Sequence, residues 1–453
     1  MMHYDLLIVG TGSGNSVITP DFDDWNIAIV ERGVFGGTCL NVGCIPSKMF
    51  VYAAELAELA RHGPELGVHT RFDGADWPAI RDRVFGRIDP IATGGAEYRI
   101  EQCRNVTVYE GEGRFVGLKK LCVGDDTMTA DQVVLAAGAR AFIPEVPGLA
   151  ESGFHTSDTI MRLDSLPEHL IVLGGGYIAA ELSHVFGGLG SKVTLVNRSP
   201  TLLRTEDDDV RLRFTEMYRR RFDVLLSTQV LEVRRTDHHL EVDVSVDGDH
   251  RTIGGDVLLV ATGRKPNSDT LGLDVLGVDI DHGGYVSTDE YMRTNVDGVW
   301  ALGDITNPVQ LKHTANAEAR VVAHNLAHPD DLRAVDLGYT PHAVFGHPQV
   351  ASVGLTERDV HEQAIPYVVK IQHYGDTAYG WAMEDTQSFV KLIASPDTRQ
   401  LLGAHIIGPQ ASTLIQQLIQ GMRFGQTVDE MAHGQLYTHP ALSEVIENAL
   451  LDL

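Results

Sequence analysis

Cysteine is scarce in this sequence, with four in 453 residues: Cys39, Cys44, Cys103 and Cys122. So few thiols in so long a chain exclude a disulfide-stapled secreted scaffold, and in a reducing compartment a disulfide is expected to be catalytic. Basic residues are also sparse, 36 Lys and Arg against 62 Asp and Glu, giving a formal charge of −26. That balance argues against nucleic acid and against an anionic membrane surface as partners. No apolar run approaches the ~18 residues of a membrane span. Short-period repeats and low-complexity tracts are missing as well. A buried-strand pattern begins at Tyr4, which leaves no room for a signal peptide, so a cytoplasmic location is expected. At ~150 residues per domain, the length predicts about three domains.

Against this background one stretch is dense in chemistry: Gly36-Gly37-Thr38-Cys39-Leu-Asn-Val-Gly-Cys44-Ile-Pro-Ser-Lys48. Five residues is about one and a half helical turns, so a Cys39–Cys44 bridge requires distorted backbone. A cysteine at the start of a helix, here one continuing through Met49–Arg61, is stabilised as a thiolate and kept reactive. The same spacing suits a structural disulfide, half a zinc site or two independent thiols. Cys103 and Cys122 are isolated, which is poor spacing for a four-sulfur metal centre, and no metal is expected. Within this helix, Met49, Phe50, Val51 and Tyr52 read as a core stripe.

Two dinucleotide-type turns recur about 160 residues apart. In the first, a strand runs into Gly10-Thr-Gly12-Ser-Gly14-Asn15, where glycines permit a tight turn and close approach to a pyrophosphate. Asn15 replaces the third glycine of the usual pattern, and Pro20 interrupts the short helix expected next. The following strand ends in Glu31, where an acid binds an adenosine ribose. In the second, Leu170–Leu173 leads into Gly174-Gly-Gly176-Tyr177-Ile178-Ala179 and a helix. Its next strand ends in Asn197-Arg198 in place of an acid. Arg198 and Arg204, six apart, are expected to form a two-pronged clamp for a 2′-phosphate, which would select NADPH over NAD; two surface arginines by chance is the alternative. Strands Val106–Val116 and Leu121–Asp131 read as a meander closed by Gln132–Gly138, and Pro144, Pro147 and Gly148 mark a boundary near residue 150. From Tyr339 onward the pattern is α+β. Near the C-terminus, His439 precedes Glu444 by five residues, so the carboxylate can orient the imidazole as an acid/base.

The cysteine stretch resembles the active-site signature of the flavoprotein disulfide reductases, the class I pyridine nucleotide-disulfide oxidoreductases, and further motifs follow in that family's order across nearly the whole chain. The resemblance implies an α/β fold with two Rossmann-like nucleotide-binding domains and a C-terminal α+β dimerisation domain. It implies residues 1–150 and 265–335 for FAD, 151–264 for NADPH, and 336–453 for the homodimer interface. It places Gly113 against the flavin adenine and Ala137-Gly138 near its phosphates, and pairs Glu181 with Lys48 beside the flavin. Thr262-Gly263-Arg264 is similar to the family's crossover, Gly303-Asp304 to its contact with the ribityl chain, and Lys312-His313-Thr314 to a helix start aimed at the flavin. It implies that Cys44 is the sulfur nearer the flavin, that Cys39 attacks the substrate disulfide, and that His439, with a possible cis bond to Pro440, serves the partner's active site.

For the substrate, residues 16–25 hold Asp21, Asp23 and Asp24 and no Arg or Lys, which disfavours an anionic disulfide such as that of glutathione. The absence of cysteine after Cys122 removes the mercuric-reductase and large thioredoxin-reductase patterns. Within the family, Gly36–Glu55, Val84–Ala92, His155–Asp158 and the aromatic-rich Tyr374–Asp385 resemble the mycothione reductases, which implies mycothiol disulfide, an uncharged sugar-linked substrate. Tyr374–Asp385 also suits an interface hairpin packing its aromatics. A dihydrolipoyl dehydrogenase-like oxidoreductase is the alternative, opposed by Asn197, Arg198 and Arg204. A non-catalytic redox sensor is opposed by the retained cysteine pair and His439–Glu444.

Overall fold

The computed structural model describes residues 2–236 and 239–453. Its first sheet is centred on Met2–Val9, which pairs in parallel with Ile27–Glu31 on one side and Asp126–Leu135 on the other. Val106–Glu110 adds beyond Ile27–Glu31, and Val299–Ala301 returns from far along the chain to pair in parallel with Asp126–Leu135. Parallel strands covered on both faces must be apolar along their length, and Leu6, Leu7, Ile8, Ile27, Ile29, Val133 and Val134 are all fully buried. The meander is shorter than expected. Only Gly113–Gly117 and Lys120–Val123 run antiparallel ahead of Asp126–Leu135. Val106–Glu110 is the edge strand and mixes buried Val106 and Tyr109 with exposed Thr107 and Glu110, and that half-polar pattern mimics a hairpin strand.

The helix expected after the first glycine turn does not form. Two 3₁₀ turns, Gly14–Val17 and Pro20–Phe22, take its place. Pro20 lacks an amide donor and holds Thr19 extended (φ −110°, ψ 172°), which stops helical propagation.

A second parallel sheet orders Asp223–Leu225, Lys192–Val196, His169–Leu173 and Val257–Val260. It carries an antiparallel layer of Thr228–Arg235, Leu240–Val246 and Asp249–Gly255. Ala139–Ala141 and Arg264–Pro266 pair as the crossover between the two sheets. The third sheet has five antiparallel strands, ordered His342–Val344, Val350–Gly354, Leu401–Ile407, Phe389–Ala394 and Val368–His373. Helices Ala411–Arg423 and Ser443–Leu451 contribute to the apolar core beside it.

Helix Cys44–His62 is wedged between Trp77–Glu97 and Tyr177–Gly188. Phe50 stacks on Trp77 at 5.0 Å and Trp77 packs on Phe186 at 4.9 Å, so three aromatic rings fix the helix that carries the second cysteine. The Met49–Tyr52 stripe is therefore mostly core: Phe50 and Val51 are buried, while Tyr52 is exposed. Tyr374–Asp385 is not a hairpin. It forms a 3₁₀ turn, Tyr374–Asp376, and a short helix, Ala378–Ala382, with Tyr374 buried and Tyr379 and Trp381 exposed. Among the described residues no helix is long and apolar enough to cross a membrane.

Candidate active site

Gly36 and Gly37, at φ +102° and +71°, turn the chain into the short helix Gly37–Asn41, which carries Cys39. The helix breaks at Val42 and Gly43, and Cys44 opens the next one. A Cβ on Gly43 would lie 2.9 Å from the Thr38 carbonyl, so only glycine allows the two cysteine-bearing turns to fold this closely. This is the distorted backbone that the spacing demands. Cys39 and Cys44 stand as free thiols hydrogen-bonded to one another. The bond from Cys39 and the nearby Lys48 ammonium outweigh burial and lower the Cys44 thiol to about 7. The same bond, together with burial, drives Cys39 well above the ordinary thiol range. Cys44 is thus the more acidic sulfur of the pair.

Lys48, one turn after Cys44, donates to both Glu181 oxygens at 2.9 and 2.7 Å. The carboxylate is buried at 4% exposure, yet it also accepts the Phe345 amide at 3.0 Å. The Lys48 ammonium lies 4.8 Å from the centre of the Phe345 ring. The expected Lys48–Glu181 pair is present, and the third sheet's first loop closes it.

Around the first glycine turn, Gly10 (φ +106°) has no room for a side chain, since a Cβ would fall 2.3 Å from the Ala136 carbonyl. Gly14 performs the close packing of the missing third glycine one residue early: its Cβ would meet that of Ala136 at 2.6 Å. Gly12 faces Gly37, whose Cβ would lie 2.6 Å from the Gly12 Cα, so two backbones meet with no side chain between them. Glu31 accepts from the Thr11 amide at 2.9 Å and from its hydroxyl, which fixes the carboxylate at the rim of the turn. Gly113 is buried against Val30 and Leu121 beside that strand end. Ala137 and Gly138 are held by Asn267, whose side chain donates to Ala137 O at 2.7 Å and whose amide donates to Gly138 O at 3.0 Å. Arg264 lies 3.9 Å from Asp304, whose carboxyl is raised by burial despite Arg264 and Lys312. Lys312 opens helix Lys312–Ala327 and donates to the Ser13 hydroxyl at 2.9 Å. His313 turns away to bond Pro341 O at 2.8 Å, and Thr314 caps back onto Leu311 O.

Two residues here escaped the sequence reading. Glu318, 1% exposed, accepts the Gly303 amide at 2.6 Å and Asn307 at 2.9 Å, and burial pushes it to about 6. Its signal was an acid on the face of Ala315, Ala319 and Val322. Arg99 donates to the Asn15 side chain at 2.9 Å and to Asn15 O at 3.2 Å, bracing the turn that replaced the helix. Nothing local to Arg99 marks it.

At the second turn, Gly174 (φ +128°) is as confined as Gly10, with a Cβ landing 2.2 Å from Ala261 O. Gly176, Gly263 (φ +136°) and the exposed Tyr177 border open space at the start of helix Tyr177–Gly188, and Ile178 is half-buried. Asn197 is buried and donates to Ser199 O at 3.0 Å and Thr201 O at 2.9 Å. Arg198 and Arg204 are exposed on the loop so formed, and neither is drawn into an ion pair among the described residues.

His439 is exposed and its Nδ1 meets Glu444 Oε1 at 2.7 Å; the other Glu444 oxygen accepts the Ala441 amide at 3.1 Å. The imidazole holds Glu444 below the usual carboxylate range. The His439–Pro440 bond is cis, as is His347–Pro348. Cys103 and Cys122 are half-buried, Cys122 within 3.3 Å of the Thr127 hydroxyl.

Three comparisons fit this geometry. The chain is 48% identical over 469 residues to the mycothione reductase of Mycobacterium tuberculosis, covering all of both proteins. It is 32% identical to the dihydrolipoyl dehydrogenase of Haloferax volcanii, covering 98% of this chain and 96% of that one. It superposes on the HOCl-induced flavoprotein disulfide reductase RclA from Escherichia coli with a TM-score of 0.87 at 25% identity, covering 99% of each chain. Residues 340–450 match the dimerisation domain of the pyridine nucleotide-disulphide oxidoreductases. Residues 4–319 match the model of the pyridine nucleotide-disulphide oxidoreductases themselves, and the chain belongs to that family.

Proposed function

We propose that this protein is an NADPH-dependent flavoprotein reductase of mycothiol disulfide, acting in the cytoplasm as a homodimer. The observation that carries the chemistry is the placement of Cys39 and Cys44 on two adjoining helical turns beside the Lys48–Glu181 pair, with Cys44 the more acidic sulfur. The full-length likeness to a mycothione reductase supports the substrate, and the exposed Arg198 and Arg204 beside a neutral Asn197 support the nucleotide. Within this reading residues 1–150 and 265–335 take FAD, 151–264 take NADPH and 336–453 form the dimer.

The side-chain-free cradle of Gly10, Gly12, Gly14 and Gly37, with Glu31 at its rim and Asp304 and Lys312 beyond, fits FAD. Gly174, Gly176 and the two arginines fit NADPH. When bound, FAD carries the electron pair of the NADPH hydride to the Cys39–Cys44 disulfide. The reduced pair then acts on the substrate. The partner's histidine, the counterpart of His439 oriented by Glu444, takes the Cys39 proton as that sulfur attacks the substrate disulfide. A Cys39–substrate mixed disulfide forms, and the first thiolate leaves with the proton from the same imidazole. The Cys44 thiolate attacks Cys39 Sγ, expels the second thiolate, which is protonated from solvent, and restores the Cys39–Cys44 bridge.

The test is NADPH oxidation by the yellow enzyme with mycothiol disulfide, glutathione disulfide and lipoamide in parallel. Turnover of mycothiol disulfide alone is expected, and preference for lipoamide with NADH would overturn the reading. Mixed dimers of C39S and H439Q subunits are expected to regain turnover, because one site then holds both an intact Cys39 and an intact histidine. Inactive mixed dimers would place the histidine in its own subunit's site.

A further inference from the structure

A second polar cluster, apart from the redox centre, lies where the loop bearing Arg198 and Arg204 meets the third sheet. Lys391 on strand Phe389–Ala394 is fully buried, yet it is ringed by Asp207 at 2.8 Å, Asp209 at 2.6 Å and Glu357 at 2.6 Å. Burial would strip the ammonium of its charge, but the three carboxylates outweigh it and hold Lys391 above the usual lysine range. Asp207 is itself fully buried and accepts the Glu357 amide at 3.0 Å. Its neighbour Glu206, 3% exposed, bonds His342 at 2.6 Å and the Ser352 hydroxyl at 2.7 Å. Two consecutive acids of the nucleotide loop therefore plug into the third sheet.

The connection continues into the loop. Arg358, from the helix that follows the third sheet's second strand, and Arg211 share the Asp208 carboxylate, at 2.7 and 2.9 Å. Arg211 also donates to the Thr201 hydroxyl at 3.0 Å. Thr201 lies midway between Arg198 and Arg204, and its carbonyl is the oxygen that Asn197 holds. Leu203, at φ +48°, passes its amide to Gly175 O at 2.7 Å, tying the loop to the glycine turn. Desolvating a lysine and two acids is costly, and an apolar contact would dock the two parts more cheaply. What the ions add is a fixed register for the segment between them.

We propose that Lys391, Asp207 and Glu206 are positioning residues for nucleotide selectivity: from the third sheet they hold the Arg198–Arg204 loop in the geometry that grips a 2′-phosphate. This rests on the NADPH reading above. It also makes recognition of the nucleotide dependent on the part of the chain that dimerises.

The experiment uses the FAD-loaded dimer. In K391M, KM for NADPH is expected to rise about tenfold while KM for NADH moves less than about twofold. The inhibition constant of adenosine 2′,5′-bisphosphate should rise in parallel, and that of ADP should not. A uniform loss of both nucleotides, or no change in the NADPH to NADH ratio, would overturn the proposal. If K391M yields no holoenzyme, S352A decides on the same ratio: a shift of about threefold supports the proposal and an unchanged ratio overturns it. R198M/R204M separates the two readings. If its ratio does not collapse, the clamp itself is wrong. If it collapses while K391M and S352A leave the ratio intact, only the positioning role fails.

Discussion

The two glycine turns are near-superimposable in logic and opposite in charge. Each opens with a glycine at positive φ pressed on a neighbouring carbonyl, Gly10 on Ala136 O and Gly174 on Ala261 O. Each is then backed by the residue at the end of the next strand. In the first turn that residue is Glu31, whose carboxylate accepts from Thr11. In the second it is Asn197, which lies so close beneath Gly175 that a Cβ there would fall 2.6 Å from its Cγ. The neutral amide is consumed internally by Ser199 and Thr201, which leaves the outward charge to Arg198 and Arg204. On the proposed reading one backbone device serves two nucleotides, and the residues at and just after the strand end, Glu31 in one turn and Asn197 with Arg198 in the other, set the sign of the field that each one would meet.

The comparison breaks most severely at the glycines. G10A is expected to purify without flavin, whereas G174A should stay yellow but lose at least about 100-fold in NADPH oxidation, because each Cβ would collide with backbone. Absorbance of the bound flavin and steady-state rates separate the two, and loss of flavin from both would mean that the turns are not independent. Next in size is Asn197→Glu, which gives the second turn the first turn's acid. It should move the NADPH to NADH preference by about 10- to 100-fold toward NADH, read as the ratio of kcat/KM values.

Between the turns, the thiolate sharpens the picture. Labelling of Cys44 in the reduced enzyme by iodoacetamide, followed by peptide mass spectrometry, should rise with pH around a midpoint of about 7. K48M should raise that midpoint by about one pH unit, and an unmoved midpoint would assign the depression to Cys39 alone. The smallest effect is at the loop's anchor. Burial lowers the His342 imidazole, but Glu206 outweighs it and holds the group above its ordinary 6.5. Its stabilisation is complete below pH 6.5 and is lost as pH rises through the folded value, so Tm should decline over that interval. H342Q should flatten the decline, and a wild-type Tm that rises there would contradict the pairing.

Features fixed by local chemistry were legible in the sequence: the cysteine turn, both glycine turns, and His439 with Glu444. Lys48 and Glu181 were legible only through resemblance, since their 133-residue separation leaves no local trace. The same limit hid Lys391, whose partner Asp207 lies 184 residues away, and Arg99, which reaches Asn15 across 84. The first helix failed for a local reason: the interruption expected at Pro20 stops it altogether and leaves only two 3₁₀ turns. Val106–Glu110 was misplaced because an edge strand and a hairpin strand share one half-polar pattern. Trp381 and Tyr379 could be assigned to neither core nor surface from composition, because a short helix turned them outward.

Glu181 accepts at once from Lys48 on the cysteine helix and from the Phe345 amide on the third sheet, while itself standing on the nucleotide helix. The electron-transfer centre therefore has no modular boundary. A chimera that imports residues 151–264 from a relative would bring its own acid to a lysine and an amide that evolved elsewhere, and a truncation before residue 345 would leave that carboxylate short of a donor. Recombination in this lineage is expected to succeed only where the donor segments around Lys48, Glu181 and Phe345 travel together.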